Sequence, residues 1–269
     1  MLNGNLDLTF VADQRGRTFI ESQYFRAPFH ISKPYWDGQT LLVQVVNPTA
    51  GVFSGDRLAS RIVVKQNARV LLTTPSANRI HAMPLGRASV EQSFVVESDG
   101  CLEVFPELFI PQAGSRYRQR TVIEVADQGQ LYFVETLAPG RVARGEIFQF
   151  EEIDWHFDLF HRETLIARER FEINRTNGSL VGLQTPFAAG YYASCYLVSD
   201  LLPGEHPVWN RISQLSSSEM IVGVSQLLSG ASTIKVIAND SVTLRRFLRE
   251  VRILLGEFFA PLRSTPRKI

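Results

Sequence analysis

The sequence predicts a mainly β protein with a stacked, helical-type β-sheet architecture and two α-helices in its C-terminal third. Three observations carry this. Strand–turn–strand segments recur at residues 62–75, 94–106 and 122–137, and the small residues closing their turns, Ala68, Gly100 and Gly129, fall about 30 positions apart. Repeats of that period stack, because a pair of strands is too thin to bury itself and must be covered by its neighbours. The run at residues 41–46, Leu-Leu-Val-Gln-Val-Val, is almost unbroken in its apolarity, as for a strand covered on both faces. Eighteen Phe against three Met indicate a core of rigid aromatics. A β-sandwich of ordinary hairpins is the competing architecture.

Taken in order, Leu6, Leu8 and Phe10 alternate with polar residues, residues 13–16 turn, and residues 18–24 alternate again. Pro28 and Pro34 interrupt the pattern, and Trp36-Asp37-Gly38 turns into the strand at 41–46. Asn47-Pro48 ends that strand, since the residue before proline is held extended and proline donates nothing to a ladder. After the three repeats, extended structure is expected at 145–150 and 153–160, with a turn at 161–164 and a partner strand at 165–173. Asn177-Gly178 signals a further turn and 191–198 a strand. The Pro203–Pro207 stretch introduces a short amphipathic helix at 208–215; strands follow at 220–228 and 233–238. Asp240 or Ser241 caps a long helix whose apolar face is Val242, Leu244, Phe247, Leu248, Val251, Leu254, Leu255 and Phe258, with Arg245, Arg249 and Arg252 on the polar face. One domain over 1–269 is expected: β layers to about residue 200, a mixed portion over about 201–260 and a basic, frayed tail at 261–269.

Charge and composition exclude several function classes. Lys and Arg number 28, Asp and Glu 27, a net +1, so no overall field draws the chain to nucleic acid or anionic lipid. The basic face of the long helix is therefore expected to accompany packing on a sheet, not membrane binding. No apolar run approaches the ~18 residues needed to span a bilayer. The first residues lack the basic and apolar regions of a signal peptide, and two isolated cysteines, Cys101 and Cys195, make neither a disulfide framework nor a zinc spacing. A cytoplasmic location is the expectation.

The residue patterns leave several sites open. There is no G-x-S-x-G elbow, P-loop or G-x-G-x-x-G after a strand. Glu103 and Glu107 flank Phe105-Pro106 and are the pair a carbohydrate-active β-solenoid would need, given two carboxylates across a cleft. Asp154, His156 and Asp158 share one face of a strand, with His161 near; they either chelate a divalent ion or form a solvated strand face. His81, close to Arg79 and Met83, is either a ligand or a surface group. Asp56 follows the tight turn at Ser54-Gly55 and either caps it or serves function. Glu135 interrupts the apolar run at 131–134, where a carboxylate is costly unless it meets a cavity, water or a partner; alternation could also turn it outward.

Four motifs in order carry a resemblance. N-P-T-A-G-x-x-x-G-D-R-L at 47–58, with Gly55 and Asp56, resembles the N-P-P-G-G-x-x-x-G-D-x-L of the urease accessory protein UreD (UreH) family. L-L-T-T-P-S-A-N-R at 71–79, ending in Asn78 and Arg79, is similar to L-x-T-T-P-G-A-T-K. L-E-V-F-P-E at 102–107 is similar to L-E-W-L-P-Q, and G-R-V-A-R-G-E at 140–146, with Gly140, Arg141, Gly145 and Glu146, to G-R-x-x-x-G-E. The chain departs at Ser76, at Asn78-Arg79, at Ile80-His81 in place of an aromatic pair, and at Ala138-Pro139. The resemblance implies a non-enzymatic urease maturation factor that binds UreF and UreG, docks on the urease structural subunits and passes nickel through an internal tunnel. It implies no tightly bound cofactor, nickel being in transit, and it puts Asp56 and Glu135 at acidic positions of that route. A conduit needs carboxylates or waters that replace an ion's hydration and then release it. Cys or multiple-His ligation would trap nickel instead.

Overall fold

The computed structural model describes residues 1–174 and 186–264. The chain opens with the hairpin β1 (Asn3–Ala12) and β2 (Thr18–Arg26), and two short strands, β3 (His30–Ile31) and β4 (Tyr35–Asp37), lead to β5 (Thr40–Val46). Coils then follow. The first is β6 (Arg57–Val64), β7 (Arg69–Thr73) and β8 (Asn78–Ile80), and the second β9 (Ala88–Val96), β10 (Cys101–Phe105) and β11 (Phe109–Pro111). The third is β12 (Arg116–Val125) and β13 (Gln130–Leu137), which a single 3-10 turn at Val142–Arg144 connects onward. The hairpin β14 (Glu152–His161) and β15 (Thr164–Asn174) comes next. Then come β16 (Tyr191–Val198), helix α1 (Val208–Ser213), β17 (Met220–Gln226), β18 (Ala231–Ala238), helix α2 (Ser241–Leu255) and a 3-10 turn at Ala260–Arg263.

The strands of each repeat do not pair with one another; each goes to a different sheet, so the polar turn between them is the corner of a coil. One sheet has the order β15-β14-β12-β9-β6-β1-β2, and β1, β6, β9, β12 and β14 are parallel neighbours along it. The other runs β17-β18-β16-β13-β10-β7-β5-β3, with β5, β7, β10 and β13 parallel. β8 and β11 pair on a short third side, which the Val52–Ile80 bridge extends. This is the stacked arrangement the repeat predicts. The corners stack as well: Cys101 donates its amide to Ala68 O and Gln130 to Gly100 O, both at 2.8 Å. Asn67, Asp99 and Gln128 take the same left-handed conformation at φ 61°, 58° and 59°. Repetition of sequence is thus repetition of backbone.

The interior between the sheets holds two apolar clusters. One gathers Leu6, Phe10, Ile62, Phe94, Leu131 and Phe133; the other gathers aromatic residues including Phe109, Tyr117, Phe150 and Trp155. A third cluster lies outside, where Leu244, Phe247, Leu248, Val251 and Leu255 of α2 cover Tyr132 and Val134 of β13. Each such buried side chain contributes about 1.5–3 kcal/mol. β13 is therefore buried on both faces, which is why residues 131–134 show no alternation. Asp240 caps α2, accepting from the amides of Val242 and Thr243 at 2.8 Å.

The structure corrects four expectations. Residues 145–150 form no strand: Gly145 ends the 3-10 turn at φ 74° and the segment folds back on itself. Val242 sits in the first turn of α2 and is exposed, not part of the apolar face. Arg252 is buried, not solvated, because it meets Glu103. The start of the basic tail is packed, with Leu262 and Ser264 buried. The Asn177-Gly178 turn lies outside the described residues.

Candidate functional site

The two interior clusters do not meet everywhere. Between them lies a cavity of about 340 Å³, within the size range of small-ligand pockets. Its walls include Leu6, Ile62, Phe94 and Phe133 from one cluster and Val52, Phe109, Tyr117 and Trp155 from the other. It reaches the surface between two loops, where Thr49 and Ala50 face Pro75, Ser76 and Arg79, all exposed.

Glu135 stands on the inner wall. Period two along β13 puts it on the face of Leu131 and Phe133, toward the coil interior. It lines the cavity, between Val134 and Thr136 of the same wall. Burial pushes its carboxyl up to about 8; the charge of Glu169 acts in the same direction, and a hydrogen bond from Gln119 acts against it. Gln119 Nε2 donates to Glu135 Oε1 at 2.6 Å and to Thr121 Oγ1 at 3.1 Å. Thr121 donates to Gln92 Oε1 at 3.1 Å, and Tyr117 donates to Gln119 Oε1 at 2.8 Å. Ser60, Gln92 and Thr121 are register partners on adjacent parallel strands, so a polar file crosses the rungs inside the coil.

Behind Glu135 is a second void of about 10 Å³, bordered by Glu135, Trp155, Glu169, Tyr192 and Ser194. That is roughly the space of one water. Glu169 accepts from the hydroxyls of Tyr196 and Tyr192 and from Lys235 Nζ; Lys235 is well exposed. Glu135 therefore separates an open cavity from a one-water space that leads toward a partly exposed carboxylate.

Asp56 does not join Glu135. It is buried outside the cavity wall, and its Oδ1 accepts from Leu2 N at 2.8 Å while Oδ2 accepts from Phe53 N at 2.9 Å. It caps the 53–56 turn and ties the first strand to it. Gly55 adopts φ 81° in that turn. Gly51, on the cavity wall, has φ 142°, and a Cβ there would lie 2.3 Å from Arg79 O, so the two mouth loops touch backbone to backbone. Val52 N donates to Arg79 O at 2.8 Å. Asn78 and Arg79 line the mouth. His81 stacks on Phe53 with centroids 4.3 Å apart, its Nε2 lying 3.0 Å from Ala50 O, so its ring braces the same loop.

The Gly140–Glu146 motif is a compact loop. Arg141 pairs with Glu146 through Nε at 2.7 Å and through Nη2, and Ala113 N donates to the same carboxylate at 3.1 Å. The Arg141 guanidinium holds the Glu146 carboxyl below its usual range. Gly140 has φ 137°, with room for no Cβ: the nearest atom, Glu146 O, would be 2.4 Å away.

Glu103 and Glu107 do not face a common cleft. Arg252 grips Glu103 at 2.6 and 2.9 Å and also donates to Ser264 O at 3.1 Å; burial pushes the Glu103 carboxyl up against the pull of that guanidinium. Glu107, at the cavity rim, takes Arg245 at 2.7 Å. Of the predicted outer-face group, Asp158 leaves it: burial acts to raise its carboxyl, yet Arg168 and Arg170 hold it below its usual range. His161 is buried, with Nδ1 2.9 Å from Ser229 O. Asp154 and His156 remain together, and Glu172, which sequence reading missed, joins them from β15.

Gln92, Gln119, Thr121 and Glu169 were also missed. The signal was present in β12, where the alternation of R-Y-R-Q-R-T-V-I-E-V puts Gln119 and Thr121 on the face of Tyr117 and Ile123. Two polar residues in an inward-facing set mark an interior that is not uniformly apolar.

Comparison with known proteins agrees with the motifs. The model of the UreD urease accessory protein family matches residues 2–269. The chain is 39% identical to a urease accessory protein UreD of Opitutus terrae over 99% of its length and 98% of that protein. It is 28% identical to a urease accessory protein UreD of Acetivibrio thermocellus, over 89% of this chain and 92% of that protein. It is 23% identical to a urease accessory protein UreH of Helicobacter hepaticus, over 88% of this chain and 92% of that protein. With a family model spanning the chain from its second residue to its last, and the motifs folded into one mouth, one loop and one buried ion pair, the chain belongs to the UreD urease accessory protein family.

Proposed function

We propose that this chain is a cytoplasmic, non-catalytic maturation factor for urease, one that docks on apo-urease with UreF and UreG and conveys nickel toward the urease active site. The observation that carries the reading is Glu135, a carboxylate on the wall of an internal cavity that opens between two surface loops. A carboxyl held near 8 exchanges its proton for a divalent cation close to neutral pH, and a single carboxylate with amide and hydroxyl neighbours releases what it takes up. The polar file of Ser60, Gln92 and Thr121 supplies oxygen contacts along the interior. Asp56 serves this route from outside it, by fixing the turn that carries Gly51 and Val52 on the cavity wall. Nickel is cargo here, with no cofactor held in place. The carbohydrate-active reading finds little support, because its two carboxylates are each taken by an arginine of α2.

Co-expression with the urease subunits and the other accessory proteins tests this at limiting nickel. Deletion of the chain is expected to abolish activation; fully active urease without it ends the proposal. Glu135→Ala is expected to lower the nickel content of urease while the accessory complex still assembles, and normal loading would remove the cavity from the route. Asp56→Ala is expected to lower activation together with the thermal stability of the chain.

A further inference from the structure

On the outer face of the coil, away from the cavity, three side chains of the β14–β15 hairpin converge. Asp154 and Glu172 are cross-strand partners, and His156 follows two residues along on the same face. A carboxylate oxygen of Asp154, a ring nitrogen of His156 and a carboxylate oxygen of Glu172 all lie within 4.8 Å of one another. His156 Nε2 is 2.9 Å from Asp154 Oδ1 and 3.6 Å from Glu172 Oε1. Two ligands each about 2.1 Å from one ion stand about 3.0 Å apart at an octahedral angle and about 3.4 Å apart at a tetrahedral one. The observed separations bracket those values.

A second observation points the same way. Asp154 is only 8% exposed, and its Oδ1, buried and aimed into the cluster, has no hydrogen-bond partner among the described residues. His156 Nε2, 2.9 Å away, has none either, because the pair is out of hydrogen-bond alignment. Both residues, with Glu172, thus offer ligand atoms within 4.8 Å of one another, close enough to share one ion. The other oxygen of Asp154 is held by Arg118 Nε at 2.6 Å, which fixes the carboxylate so that Oδ1 stays presented. His156 remains partly exposed and Glu172 largely so, leaving the site open to solvent.

We propose that Asp154, His156 and Glu172 form a surface site for one borderline divalent ion of the Ni²⁺ or Zn²⁺ class. Imidazole with two carboxylates selects such ions over Ca²⁺ and Mg²⁺, which prefer all-oxygen shells. Three protein ligands leave the remaining positions to water, and Arg118 offsets one of the two carboxylate charges. The site is an exchangeable one, occupied and vacated at the surface. It does not depend on the cavity carrying nickel.

Titration of the full chain with Ni²⁺ alone, and separately with Zn²⁺, by calorimetry and equilibrium dialysis tests this. Wild type is expected to show a site that His156→Ala and Glu172→Gln each weaken by at least about tenfold, while Glu124→Gln, exposed on β12, leaves it intact. Differences between variants isolate this cluster from any ion held inside the coil. Glu172 is exposed on an edge strand, so its isosteric variant folds normally and its melting temperature checks this. Wild-type affinity and stoichiometry in both His156→Ala and Glu172→Gln, or no Ni²⁺ or Zn²⁺ bound by wild type, would overturn the proposal.

Discussion

Glu135→Gln has a pH signature that follows from the cavity. The variant keeps the side-chain shape and an acceptor for Gln119 but cannot ionise. In the folded wild type the carboxyl titrates near 8 instead of its ordinary 4.5. Between those values the folded chain retains a proton that the unfolded chain has released, so stability falls as pH rises. Below about pH 4.5 the contribution is fully present; above about pH 8 it is gone. A displacement of this size corresponds to roughly 4–5 kcal/mol. Glu135 is only partly buried, on the wall of a cavity that opens to the surface, so solvent screening leaves on the order of 2 kcal/mol, or about 4–8 °C in Tm for a chain of this length. The assay is thermal and urea unfolding of both proteins from about pH 5 to about pH 9. Their difference cancels the other titrating groups, and wild type is expected to lose stability relative to the variant as pH rises. A difference constant across that range would refute the placement of Glu135 in an enclosed, low-dielectric wall.

Two further perturbations test the frame around the cavity. Gly140→Ala is expected to destabilise by more than about 3 kcal/mol, since strain at φ 137° adds to a Cβ contact of 2.4 Å; Gly145→Ala, at φ 74° with open space around it, should cost only about 1–2 kcal/mol. Equal losses in urea unfolding would contradict the loop geometry. Removing either Glu103 or Arg252 alone should cost about 3–5 kcal/mol by leaving a buried charge unpaired, and the double variant should lose clearly less than the sum. An additive cycle would show that the pair is not formed.

Much of the coil was legible because its signals are local. Ala68, Gly100 and Gly129 mark corners that need tight backbone, and Asp240 caps α2 whatever the helix packs on. What escaped is set by the partner across a gap. Arg252 reads as one more arginine on a polar face until β10 presents Glu103 beneath it. Glu172 is an ordinary edge-strand carboxylate until register places it opposite Asp154. Glu135 could be assigned inward only by parity with Phe133, and the cavity that tolerates it is a property of how two clusters fail to meet. Residues 145–150 were misread as a strand because the Arg141–Glu146 pair that folds them back lies across Gly145.

The polar file has a consequence for length. Ser60, Gln92 and Thr121 occupy one column of a parallel sheet, so consecutive hydroxyl and amide groups are spaced by the strand separation, about 4.8 Å. A polar file built this way is graduated: its span is a whole number of rungs, and inserting or deleting residues within a corner leaves it unchanged. Evolution or engineering can lengthen it only by adding an entire coil, and each addition brings another wall position at the same height.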